Sequence, residues 1–154
     1  MLFDAPPLQH VCDLTVMLDP ILEMGPGPAG QRRIIPIVGG KVEGERIRGE
    51  ILDLGADWQT VLADGQAELD ARYAVRTHDG AIIEVRNLGL RHGPADIMAR
   101  VAAGEDVDPS GYYMRTHLRL ETGDARYAWV NRALFLGTGG RRAASVVLSI
   151  FEIA

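Results

Sequence analysis

The chain has 154 residues, 47% hydrophobic and 24% charged, with a formal charge of -5, so it suits one globular domain and lacks the basic footprint of a nucleic-acid or anionic-membrane binder. Cys12 is the single cysteine, which excludes an intrachain disulfide and a zinc cage of several thiolates. The N-terminus has no basic region leading into an apolar run, and the serine-interrupted apolar stretch 143–151 is too short to span a bilayer, so the expectation is one cytoplasmic domain over residues 1–154.

In chain order, His10 to Leu18 is rich in β-branched residues and reads as a strand stopped at Asp19-Pro20. A Gly/Pro loop covers Met24 to Gly30, a strand covers Arg33 to Val38, and Gly39-Gly40 is expected to turn the chain. Ile47 to Leu54 follows, then strands Trp58 to Leu62 and Ala67 to Thr77 around the hairpin signal Ala63-Asp64-Gly65. A second hairpin signal, His78-Asp79-Gly80, leads into Ala81 to Gly89. Pro94 to Ala103 is the one helical pattern, with proline at its start, an apolar stripe and Gly104 to cap it. Strands are then expected over Tyr112 to Leu120, Tyr127 to Leu136 and Ala143 to Ile153, with turns at Glu121 to Asp124 and Gly137 to Gly140.

Sequential hairpins with one short helix predict a mainly β fold: a single antiparallel β-barrel of about nine strands, with a two-sheet sandwich as the alternative. A homodimer is expected, pairing through the 24–30 loop and the apolar C-terminal strand.

Alternation assigns side chains to faces but not faces to the interior. In 67–77, Asp70 and Arg72 share one face, and Leu69 and Tyr73 share the other. The pair reads either as a solvated surface couple or as a charged couple lining a cavity. Tyr113, Arg115 and His117 share the polar face of their strand, and Tyr127, Trp129 and Asn131 one face of the next, where aromatics followed by an amide suit a ligand wall or a core equally. The four histidines are scattered without metal-ligand spacing, and no phosphate-binding, dinucleotide or nucleophile-elbow motif is present, so neither metal nor cofactor is expected.

The series GG at 39–40, GADWQ at 55–59, LDARY at 69–73, the VRNLG run ending at Gly89, GYYMRT at 111–116 and YAWVNR at 127–132 resembles the DUF3237 (UPF0311) family from about residue 9 to the C-terminus. At the Met114 position relatives commonly have Phe. The family is similar to small calycin-like barrels of the allene-oxide-cyclase and dirigent type, which hold hydrophobic small molecules. By motif position the resemblance points to Arg33, Asp57, Trp58, Asp70, Arg72, Tyr73, Asn87, Tyr113, Arg115, Trp129 and Asn131.

The leading expectation is a cofactor-free cyclase, isomerase or lyase acting on a small organic molecule in the barrel. Asp70 would take the proton, Tyr73 or Tyr113 would donate one, and Arg72 or Arg115 would hold an oxyanion or carboxylate. Arg33, Asp57, Trp58, Tyr73, Asn87, Trp129 and Asn131 would bind substrate. The alternatives are a non-catalytic carrier or sensor and a structural oligomerising domain.

Overall fold

In the computed structural model, which describes Met1–Ala154, the chain forms ten strands. They are β1 (Leu8–Leu18), β2 (Leu22–Pro26), β3 (Gln31–Glu43), β4 (Gly49–Ile51), β5 (Gly55–Val61), β6 (Ala67–Thr77), β7 (Ile82–His92), β8 (Tyr113–Glu121), β9 (Leu134–Arg141) and β10 (Ser145–Ile153). Every pairing is antiparallel, and β1 closes the sheet by pairing with both β10 and β3. The short β4 and the longer β5 share one place in the wall, both lying between β3 and β6, while β2 adds to the edge of β3. Closure leaves no long unpaired edge, the usual liability of so many strands. The expected barrel with one short helix is therefore what the chain forms; the helix is α1 (Ala95–Ala102).

The alternation reads directly as inside and outside. On β8, Met114, Thr116, Leu118 and Leu120 are buried and Tyr113, Arg115, His117 and Arg119 are exposed. Half of the interior is a dry plug in which Cys12, Val42, Val75, Ile83, Leu118 and Ile150 meet. Burial pushes the Cys12 thiol up to about 12, which keeps it protonated and unreactive.

Four local expectations are corrected. Gly39-Gly40 is no turn: β3 runs straight through, and a Cβ on Gly40 would lie 2.0 Å from the Thr15 carbonyl oxygen, so glycine there admits a neighbouring strand at close approach. Met24 to Gly30 is not wholly loop, because β2 reaches Pro26 with Gly25 at φ 92°. Gly137 to Gly140 lies within β9, and the turn comes later, where the Arg142 amide donates to the Ser145 carbonyl.

The fourth correction is Tyr127 to Leu136, whose first half is a 3-10 segment, Ala125–Arg132, closing the plugged end of the barrel. Asp124 starts it by accepting from the Arg126 amide at 2.9 Å and pairing with the Arg126 guanidinium at 2.8 Å. The Tyr127 hydroxyl donates to Asp79 at 2.7 Å, and Val130 is fully buried. We expect Tyr127→Phe to cost about 1–2 kcal/mol, read as a lower urea midpoint at unchanged slope. The Arg126 hydrogen bonds hold Asp124 down at about 2, and the Thr77 and Tyr127 hydroxyls lower Asp79. Both groups therefore stabilise the fold above the ordinary carboxylate value of about 4, and that contribution goes as pH falls through their depressed values.

Candidate active site

The other end of the barrel sets polar groups into an apolar lining. Inward-facing residues of β1, β3 and β5 to β10 meet there around a cavity of 40 Å³, room for about three waters. Asp57 on β5 is one of them. Its carboxylate accepts from the Gln59 amide at 2.7 Å and from the Asp70 backbone N–H at 2.9 Å. Gln59 is itself fixed, because its Oε1 accepts from Arg33 Nε at 3.0 Å. Alternation on β5 makes this arrangement: Asp57 and Gln59 face inward while Trp58 between them faces out.

Burial pushes the Asp57 carboxyl above the usual carboxylate range, and this outweighs the Gln59 and Asp70 hydrogen bonds and the Arg91 charge, which act the other way. Arg91 on β7 is only 7% exposed, and burial brings its guanidinium down to about 10, with repulsion from Arg33 and Arg141 adding to the effect. Arg141 is lowered for the same reasons, burial first. None of the chain's ion pairs includes Arg33, Arg91 or Arg141. Arg91 and Arg141 thus share one carboxylate.

Three further polar atoms lining this cavity are buried without a hydrogen-bond partner: the Tyr73 hydroxyl, the Asn87 amide oxygen and the Thr116 hydroxyl. Buried polar atoms are almost always paired; the Tyr73 hydroxyl lies close enough to the Asn87 side chain to interact with it, and these two with Thr116 offer unfilled hydrogen-bonding capacity to a polar guest. Burial, reinforced by the negative charge of neighbouring groups, raises the Tyr73 hydroxyl well above its ordinary value, so it is a proton donor and not a phenolate. Gly137 makes room: a Cβ there would lie 2.3 Å from Thr116 Oγ1.

Of the residues expected at the site, Asp57, Tyr73 and Asn87 line this cavity, and Arg33 stands behind it through its bond to Gln59. The others do not. Asp70 and Arg72 lie on the solvent face of β6, Arg72 paired with Glu84 at 2.8 Å. Trp58, Tyr113 and Arg115 line an outer groove with Asp70. Trp129 is at the plugged end, tilted against Phe135 and under the Arg46 guanidinium 3.9 Å from its ring. Asn131 is there too, accepting from the Thr122 amide and donating to its carbonyl, both at 2.9 Å. The expectation that Asp70, Arg72, Arg115 and Asn131 surround one pocket is therefore corrected: parity placed Asp70 and Arg72 together, but on the outside. Arg91, Arg141, Gln59 and Thr116 were missed. An arginine two steps beyond Gly89 on the parity of Asn87 was the available signal for Arg91.

The fold is a closed antiparallel β-barrel with charged and polar groups gathered in a cavity at one end. The chain belongs to the DUF3237 family, described as proteins of unknown function, whose profile matches residues 6–153. A UPF0311 protein of Rhodopseudomonas palustris is 40% identical over 145 residues, covering 94% of this chain and 95% of that one. The crystal structure of a conserved protein of unknown function from the same organism superposes with a TM-score of 0.95 at 38% identity, covering 99% of this chain and 100% of the other. An enzyme from Penicillium herquei shares the fold at a TM-score of 0.75 and 20% identity, covering 100% and 98% of the two chains. No helix is long and apolar enough to cross a membrane.

Proposed function

We propose that the polar end of the barrel performs cofactor-free acid–base chemistry, of the cyclase, isomerase or lyase type, on a small organic molecule bearing an anionic or strongly polarised oxygen. The observation that carries this reading is Asp57: a buried carboxyl with raised proton affinity, held by two hydrogen bonds and facing guanidinium groups that no other carboxylate neutralises. Asp57 takes over the role of proton acceptor that sequence reading gave to Asp70. Tyr73 supplies the proton donor, and Arg91 with Arg141 stabilises negative charge as it develops on the substrate oxygen. Asn87 and Thr116 orient the guest through their unpaired oxygens.

A cavity of 40 Å³ admits only the reacting end of a substrate. The rest of the molecule lies at the mouth, beside the β2–β3 hairpin and the segment carrying α1, which joins β7 to β8 at this end. The setting is the cytoplasm, where the lone protonated Cys12 thiol has no partner to form a disulfide.

The test is solvent exchange. A panel of small enolisable oxo-acids and unsaturated carboxylic acids is incubated with the protein in D₂O and followed by proton NMR. Deuterium enters, or double bonds migrate, at a carbon next to the bound oxygen, with the wild-type chain and not with Asp57→Asn. Specific binding of these acids with no exchange in any of them supports a carrier or sensor instead, and overturns the catalytic reading.

A further inference from the structure

The outside of β5 to β9 carries a row pattern that the lumen chemistry does not use. Strand registers set Asp57 against Ala71 and Thr60 against Glu68, which puts Trp58 opposite Asp70. Asp70 is opposite Leu88, Leu88 opposite His117, and His117 opposite Leu136. One outward row across five strands is therefore Trp58, Asp70, Leu88, His117, Leu136. Two residues along each strand, the next row is Glu68, Leu90, Arg115 and the half-buried Thr138, continued on β5 by Thr60, which is 6% exposed and accepts from Arg32.

Each row has leucine at its centre on β7, an acid on one side, a base on the other, and matched ends. Trp58 is 46% exposed, Leu88 and Leu90 40% each, and Leu136 37%, an apolar face of unusual size for a solvent side. These two rows also line a groove of 560 Å³ on the barrel surface.

We infer that this face binds a second copy of the same chain about a two-fold axis running along β7. Such an axis exchanges the two sides of each row and preserves position along the strand. Leu88 then meets Leu88 of the partner subunit, and Leu90 meets Leu90 of the partner subunit. Asp70 meets His117 of the partner subunit, Glu68 meets Arg115 of the partner subunit, and Trp58 covers Leu136 of the partner subunit. The two-fold repeats every contact, which is the self-complementarity an isologous interface requires. An axis across the strands would instead set acids on acids and bases on bases, at a cost of several kcal/mol. On one flank the same axis brings Arg86 to Arg86 of the partner subunit and Arg72 to Arg119 of the partner subunit, a like-charge row that Glu84, paired with Arg72 and Arg86, offsets in part.

Sedimentation velocity over a concentration series tests this. The wild-type chain sediments as a dimer, and Leu88→Asp, which sets two carboxylates against each other on the axis, sediments as a monomer with an unchanged β-sheet circular dichroism spectrum. Glu68→Arg alone raises the dimer dissociation constant by roughly tenfold or more, as does Arg115→Glu alone, and the double exchange in one chain restores it, because each pair is rebuilt with reversed sign. Should Leu88→Asp unfold, Leu136→Lys at the rim gives the same reading. A wild-type monomer at all concentrations, a dimer indifferent to Leu88→Asp, or a double exchange that fails to restore pairing overturns the inference. None of these outcomes touches the lumen reading, since the altered side chains all face outward.

Discussion

Asp57→Asn is expected to remove turnover while leaving the fold intact. The amide cannot accept a proton at any working pH, and loss of a positioned general base lowers rates by about 10²–10⁴-fold. Stability should follow the opposite course from an ordinary paired aspartate. The folded-state proton affinity of Asp57 is raised, so what the group contributes to stability is complete below the ordinary value of about 4 and is lost as pH rises through its higher folded value. Wherever it is ionised, the carboxylate is thus a burden on the fold. Removing its charge keeps an oxygen to accept from the Asp70 N–H. The melting temperature of Asp57→Asn is expected to stay within a few degrees of wild type. The rate of the wild-type protein should rise with pH through a limb placed above the usual carboxylate range, because the base must be ionised. Arg72→Gln is the control: it removes an exposed surface ion pair and leaves turnover unchanged. Equal loss in Arg72→Gln and Asp57→Asn would return the chemistry to the outer face of β6.

The contrast between Asp57 and Asp70 shows what a sequence of this kind makes legible. The barrel, its hairpins and the helix could be read because glycine and Asp-Gly turns punctuate alternating strands, and alternation is a local property. Which face turns inward is not local. It is settled when a strand finds both neighbours, and the charged face of 67–77 gave no sign of its side until β5 and β7 were in place. Asp57 came only from the family resemblance, and Gln59 was not seen at all, since the strand expected over Trp58 to Leu62 showed no inward face until β3 paired with it over seven residues.

The 3-10 segment Ala125–Arg132 failed for a different reason. Its aromatic and β-branched composition suits a strand, but Asp124 captures Arg126, and Tyr127 reaches 48 residues back to Asp79. Side-chain capture of the chain start overrides the strand preference, and the parity that set Trp129 beside Asn131 has no meaning there. Glycine misled twice in the same way: at Gly40 and Gly139 it admits a neighbouring backbone and makes no turn, a Cβ on Gly139 falling 1.8 Å from the Val147 carbonyl oxygen.

The second large effect is expected at Arg91, where function and stability should separate. Arg91 is buried and in no ion pair, and burial already lowers its proton affinity, so the folded state carries the cost of an uncompensated charge. Arg91→Met keeps the length and the apolar stem and removes the charge. Because Arg91 lies in no ion pair, removing its charge relieves a desolvation cost, and a rise in Tm is the expected reading. The same change removes a donor aimed at the developing oxyanion, a loss on the order of 10²–10³-fold in kcat. A coupled signature distinguishes this from simple repacking. Arg91 is one of the influences holding the Asp57 carboxyl down, so without it Asp57 binds its proton more tightly, and the acidic limb of the rate profile moves to higher pH. Arg91→Lys keeps the charge without the planar fork, and should hold that limb in place while recovering only part of the rate. If Arg91→Met instead lowers Tm together with activity, Arg91 is a structural residue of the barrel wall and the oxyanion role passes to Arg141, the remaining guanidinium in the lining of the cavity.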